Sequence, residues 1–441
     1  MGSYTMGWSS PVGGKIIRKR DNGSDMTISS SIIVAFGSIP KDGGTFTFYR
    51  NLCPALLKYG IDLRCISIGK HDANLWDTAF VDDGCVLLAK DETSVKAQAI
   101  AFSEWCVAHH VDVVIGINSQ AILSALPHLP GHIRVVSRCA NGFDHGYKIT
   151  LSCYERLARI IALTPRLQSD LTNHYGADAN KITLIPNGIA PDRFQGISES
   201  LRGQEKTLRL GFLGRLEHNQ KGVLFLPEII QHLEKKEIDF KLRIAGKGIH
   251  KKALERKLAS SIKKGRVIFE GALSPNSVLD FLGETDIFLF PSQFEGCPNV
   301  LLEGMMAGCV PVTFLIEGTT DFIVKNGITG FVCPMGDCEA FATNIAELSS
   351  NRDRLRQMSV AASADARKRF SQEKAAKDYA GVFKEVMNSP PLSWTPLPWS
   401  AFQPDPAFVQ RNNWKSLLPE PVKRIVKNGL FYTGLSDHYY E

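Results

Sequence analysis

The chain has 441 residues, with 51 Lys or Arg against 45 Asp or Glu, for a net charge of +6. That length exceeds one ordinary hydrophobic core, so two domains are expected. A content of 44% hydrophobic and 22% charged residues excludes disorder over most of the chain.

Residues 1–28 read as a flexible extension; Lys15, Arg18, Lys19 and Arg20 stand there without an apolar core, so no secretory signal is expected. Met6 takes the place where a myristoylation motif requires Ser or Thr. From Ser31 the pattern changes. Short apolar runs at 32–36, 63–68, 111–117, 133–136, 160–163 and 182–185 suit strands buried on both faces of a parallel sheet. Helical stretches at 45–58, 95–109 and 167–175 alternate with them, which predicts a doubly wound α/β domain over residues 29–195.

The polar stretch 196–206 reads as an interdomain linker. The alternation then restarts and predicts a second α/β domain over 207–370. Its strands are expected at 208–213, 240–245, 267–269, 287–290, 310–313 and 331–332, and its helices at 223–235, 249–263, 277–282, 299–307 and 338–348. Within it, residues 231–266 hold 12 Lys or Arg against 4 Asp or Glu, so the net charge is one basic segment on a nearly neutral chain. Most of that segment reads as a solvated helix face, and no nucleic-acid partner is expected. Residues 371–441 are read as a closing helix and a Pro/Trp-rich tail, with Trp394, Trp399 and Trp414, crossing back to the first domain. The basic stretches 415–418 and 422–427 also suit peripheral contact with an anionic membrane, although packing against the first domain is the preferred reading.

No run of 18 or more apolar residues occurs, so no transmembrane helix is expected. The ten cysteines are scattered, with no Cys-x-x-Cys pair, which fits reduced thiols in a cytoplasmic protein and no zinc site.

Two stretches carry chemistry. The first is Phe290-Pro291-Ser292-Gln293-Phe294-Glu295-Gly296-Cys297-Pro298-Asn299-Val300-Leu301-Leu302-Glu303. A buried strand ends at Phe290, a loop follows, and a helix is expected from Asn299, read as its N-cap. A helix N-terminus at the carboxyl end of a parallel strand is an anion site, because free N–H groups and the dipole face it. Glu303, one turn into that helix, suits a ribose hydroxyl pair rather than a phosphate. Glu295 is placed to accept hydrogen bonds from a sugar. The second stretch is Gly214-Arg215-Leu216-Glu217-His218-Asn219-Gln220-Lys221-Gly222. Arg215 stands at a strand end and Lys221 at the expected start of the next helix, where two cations can clamp a diphosphate.

Together these stretches resemble the retaining glycosyltransferases of glycosyltransferase family 4. The family's Gly-Arg-Leu-x4-Lys-Gly is matched by Gly214–Gly222 and its Glu-x7-Glu by Glu295 and Glu303. Residues 159–164, 181–189 and 326–331 resemble further family segments, and the likeness covers about residues 30–385. The resemblance implies a GT-B fold, two Rossmann-like domains facing a cleft. It implies transfer of a sugar from a nucleoside diphosphate sugar (UDP- or GDP-sugar) to a glycan or lipid-linked hydroxyl acceptor, with retention of configuration and polysaccharide synthesis as the setting. Arg215 and Lys221 would hold the diphosphate, Glu303 the ribose and Glu295 the transferred sugar. Gly296 and the backbone of Asn299, Val300 and Leu301 would face the phosphates, and Gly44, after Gly43, would approach them from the first domain. Residues 246–248 would lie beside the nucleotide.

The catalytic residues so implied are Glu295, Arg215 and Lys221, with no metal and no cofactor. Two departures stand out. Ala140 occupies the family's usual His position, so Asn141, Asp144 and His145 are the acceptor-side candidates, with Asn141 and His145 preferred. Glu317-Gly318-Thr319-Thr320-Asp321 replaces the family's paired Gly. The rival readings are a GT-B epimerase or phosphorylase and a non-catalytic sugar-nucleotide-binding protein; no stretch suggests a phosphorylase's cofactor lysine.

Overall fold

The computed structural model describes residues 31–38, 44–69, 84–197 and 205–408. The expected extension 1–28, most of the expected linker and the basic stretches 415–418 and 422–427 lie outside them.

Two parallel sheets form two α/β halves. The first contains β1 (Ile32–Gly37), β2 (Ile61–Ile68), β3 (Val86–Leu88), β4 (Val113–Gly116), β5 (Arg134–Cys139), β6 (Leu157–Ala162) and β7 (Ile182–Leu184). Their order is β3-β2-β1-β4-β5-β6-β7. The second contains β8 (Leu208–Leu213), β9 (Phe240–Ala245), β10 (Val267–Gly271), β11 (Ile287–Phe290), β12 (Val310–Phe314) and β13 (Phe331–Cys333), in the order β10-β9-β8-β11-β12-β13. β4, β5, β11 and β12 are buried along their whole length; β4, β11 and β12 accordingly read as near-continuous apolar runs, whereas β5 also buries Arg134, Ser137 and Arg138. Helices occupy both faces, as right-handed crossovers between parallel strands require.

This topology positions the site. In each sheet the chain starts centrally, builds one edge, then returns to build the other. The strand order reverses between β1 and β4 and between β8 and β11. Loops leaving the carboxyl ends of strands at such a reversal diverge and open a crevice between them.

Some expectations need correction. β3, three half-buried residues, carries too short a pattern to be foreseen. The helix expected over 249–263 is two helices, Lys251–Lys257 and Ala259–Lys263, meeting at Leu258. The helix expected from residue 223 is preceded by a separate short one, His218–Lys221, so Lys221 ends a helix instead of starting one.

The long helix Gln372–Asn388 packs against the helix Gly44–Leu57 of the first half, where the Tyr379 and Phe48 rings lie 5.4 Å apart. Beyond it the chain runs over the first half as a strap. Trp394 Nε1 donates to Pro127 O at 3.2 Å, and Trp399 stacks on His128 at 4.3 Å. The Asp405 N–H bonds the Ser124 hydroxyl at 2.9 Å. Among the described residues no helix is long and apolar enough to cross a membrane.

Candidate active site

The loop after β8 is shaped by its own side chains. The Glu217 carboxylate caps the helix His218–Lys221, accepting from the N–H groups of Asn219 at 2.7 Å and Gln220 at 2.9 Å. Gly222 closes that helix at φ +62°, a region open to glycine. A Cβ there would sit 1.8 Å from Pro291 O, so only glycine lets the loops after β8 and β11 come together. Gln293 then joins them: its backbone N–H donates to Gln220 O at 2.8 Å and its side chain to His218 O at 2.7 Å.

This seam brings the two sequence motifs into one network. Lys221 Nζ lies 2.5 Å from Glu295 Oε1, with side chains 16% and 6% exposed. Gln220 Nε2 reaches Glu295 Oε2 at 3.5 Å, and Arg215 donates to the Gln220 side-chain oxygen. Sequence reasoning singled out Arg215, Lys221 and Glu295 but missed Gln220, the residue that bridges them. The loop after β9 leans on the same seam: Leu216 N–H donates to Lys247 O at 2.8 Å and His250 N–H to Leu216 O at 3.0 Å.

The helix Asn299–Met306 begins where the motif places it, but Asn299 is its first helical residue, and Pro298 holds the N-cap position with no side-chain cap. The Leu301 N–H donates to Pro298 O at 3.1 Å. Among the described residues the N–H groups of Asn299 and Val300 have no such partner, so they are the open donors at this helix start. The Asn299 side-chain oxygen accepts from Asn187 Nδ2 at 2.7 Å.

Glu303 is buried, its side chain 14% exposed, with Arg193 NH1 3.4 Å from Oε1. Burial raises the Glu303 carboxyl above the usual carboxylate range, and the Arg193 charge opposes that rise. Arg193 comes from the end of the first half, 110 residues away in sequence.

Gly296 is one point where the halves touch. A Cβ there would lie 2.0 Å from Ala140 O and 3.4 Å from the Asn141 Cα. Asn141 therefore stands beside Glu295 and Gly296. His145 does not join them; its ring meets Phe408 of the strap edge-on at 5.4 Å. Gly44 opens the helix Gly44–Leu57, exposed and outside the network among the described residues. Near the Gly318 O to Arg166 N–H contact at 3.1 Å, the Thr319 hydroxyl is buried without a partner among the described residues, as is that of Ser292 just beyond β11.

Comparison with known proteins adds to this geometry. The family model described as Glycosyltransferase Family 4 matches residues 42–193, and that described as Glycosyl transferases group 1 matches 207–351. An uncharacterized glycosyltransferase of Methanocaldococcus jannaschii is 23% identical over 315 residues, 67% of this chain and 80% of that protein. A capsular polysaccharide biosynthesis glycosyltransferase of Staphylococcus aureus is 29% identical over 46% of this chain and 54% of its own length. The chain thus spans about half of that relative. The crystal structure of Anabaena HepE in complex with UDP and glucose superposes with a TM-score of 0.66, at 17% identity, over 80% of this chain and all of HepE.

Proposed function

The chain belongs to the GT-B glycosyltransferases, pairing a Glycosyltransferase Family 4 half with a Glycosyl transferases group 1 half, and on that premise we propose that it moves a sugar from a nucleoside diphosphate sugar, a UDP- or GDP-sugar, to a hydroxyl of a glycan or lipid-linked acceptor, with retention. The observation that carries this reading is the Lys221–Glu295–Gln220–Arg215 network at the reversal between β8 and β11. UDP in HepE and a capsular polysaccharide relative support the donor and acceptor classes.

In this reading the bond from the anomeric carbon to the β-phosphate oxygen breaks, and its electron pair leaves with the nucleoside diphosphate. Arg215, Lys221 and the N–H groups of Asn299 and Val300 take up the developing charge, so the chain's own donors serve without a metal. Lys221 is shared between Glu295 and the phosphate, and Glu295 holds the sugar hydroxyls. The acceptor oxygen forms its bond on the face the leaving group vacates, and its proton passes to the departing phosphate oxygen. Glu303 holds the ribose, with the Arg193 charge opposing the effect of its burial. The buried hydroxyls of Ser292 and Thr319 are unspent donors suited to sugar oxygens. Asn141, beside Glu295, is assigned to the acceptor.

Product analysis with UDP- and GDP-sugars tests the reading. The expected products are free nucleoside diphosphate and a glycosylated acceptor with the donor's anomeric configuration. An epimerised sugar or a sugar phosphate would replace it with one of the rival readings.

A further inference from the structure

A buried cation of the first half lies one hydrogen-bonded residue away from the same helix. Arg138, on β5, is 5% exposed. Its Nε donates to the Tyr379 hydroxyl at 3.0 Å, its NH2 donates to the Asn187 side-chain oxygen at 2.6 Å, and its guanidinium lies over the Phe48 ring at 4.2 Å. All three partners are neutral, since burial raises the Tyr379 hydroxyl and keeps it protonated. Arg156 in the same half shows the structural way to bury a guanidinium: it donates to the carbonyls of Leu126, Leu129, Pro130 and Ile133 at 2.7 to 3.1 Å. Arg138 has no such set of carbonyls and, among the described residues, no carboxylate. A buried charge left so is costly unless something else answers it.

The hydrogen bonds of Arg138 carry a direction. A guanidinium only donates, so the Asn187 amide must turn its oxygen to Arg138. Its N–H2 group then faces the second half, where it donates to Cys297 O at 3.0 Å and to Asn299 Oδ1 at 2.7 Å. Asn299 in turn must present its oxygen to Asn187. That leaves the Asn299 N–H2 group without a partner among the described residues, beside the open N–H groups at the helix start.

We propose that Arg138 is a positioning residue for the donor diphosphate: through Asn187 it sets the direction of the Asn299 amide, so that a side-chain N–H2 joins the helix N–H groups in meeting the phosphates. The inference rests on the donor site proposed above. It also gives the Arg138 charge a counterpart, because the diphosphate brings negative charge to the helix start that Arg138 backs through Asn187.

Asn187→Asp is the sharpest test. The aspartate still accepts from Arg138 and now pairs with its charge, so the fold keeps its contact. It has no N–H2 to give, so Asn299 must turn its nitrogen inward and its oxygen toward the phosphates. Calorimetric affinities for UDP and GDP, with uridine and guanosine measured by competition, are compared for the wild type, Asn187→Asp, Arg138→Met and Arg138→Lys. The expected result is a loss of about 10- to 100-fold in diphosphate affinity for Asn187→Asp and Arg138→Met, the worth of one charge-assisted hydrogen bond. Nucleoside affinity should stay within about twofold, and Arg138→Lys should restore most of the diphosphate affinity. Wild-type diphosphate affinity in folded Asn187→Asp overturns the inference alone, as do equal losses for diphosphate and nucleoside. Failure of the wild-type protein to bind either diphosphate overturns the donor-site reading and this inference with it.

Discussion

The two halves repeat one architecture, yet their cleft edges differ. In the second half, loops after β8 and β11 are locked together, and a lysine and a glutamate meet at 2.5 Å on a seam of backbone contacts. In the first half the corresponding edge carries an amide, Asn141, and a histidine packed against the strap. One edge is organised by charge and the other by packing. An edge built on fixed charges suits a ligand whose charge changes during reaction. An edge built on neutral groups suits a neutral acceptor. Mutations should therefore separate turnover from stability along the same division.

The largest effect is expected at the seam. Arg215→Ala should lower kcat by about 10²- to 10³-fold, the worth of one preorganised donor to a developing charge. Its melting temperature should stay close to wild type, because among the described residues the exposed Arg215 side chain bonds Gln220 alone. Lys221→Ala should lose at least as much turnover and about 3 kcal/mol of stability as well, since Glu295 is left buried without its cation. Steady-state kinetics and denaturant unfolding measure both. Undiminished turnover in the folded double variant would remove the distinction between the halves.

Arg156→Met should do the opposite. Four carbonyls lose their donor, and about 3 kcal/mol of stability should go with them, while donor affinity stays unchanged. Unfolding and titration of the same preparation decide it.

A smaller effect concerns pH. Burial raises the Glu303 carboxyl, so the folded protein binds that proton more tightly than the unfolded chain does. Burying the carboxylate thus costs stability above the raised pKa, and that cost disappears as pH falls through it. Donor affinity should run the other way, full above the raised pKa and declining below it. Arg193→Met removes the opposing charge, so the acid limb of donor affinity should move to higher pH, with little change on the alkaline side. An acid limb that stays in place would show that Arg193 does not hold Glu303 ionised.

The smallest effects are expected in the first half. Asn141→Ala should raise the acceptor KM several-fold with the donor KM unchanged. His145→Ala should change either KM by less than about twofold, because its ring is spent on Phe408.

The fold was legible where burial on both faces wrote itself as apolar runs, as at residues 287–290 and 310–313. It was illegible where elements are short or edge-placed: β3 has three half-buried residues, and the basic helix breaks at Leu258 without glycine or proline to mark it. In the site, Arg215, Lys221, Glu295 and Glu303 were readable because each stands in or beside a loop that leaves a strand end, although Lys221 closes a short helix there instead of opening one. Gln220 was hidden in plain sequence, one residue from Lys221. Arg193 and Asn187 reach partners more than 100 residues away, and Arg138 reaches Asn187 across 49 residues and Tyr379 across 241, and no local pattern records such contacts. Asn299 was misread as a cap because Asn favours that position. Here its side chain faces Asn187, and proline precedes it.

The central claim is that the seam between the loops after β8 and β11 holds the donor diphosphate. Thermal shift of the wild type and of Arg215→Ala/Lys221→Ala against a panel of nucleoside diphosphate sugars tests it most directly. The wild type should show a selective rise with one donor base, and the folded double variant should show none. The same rise in both proteins would contradict the claim.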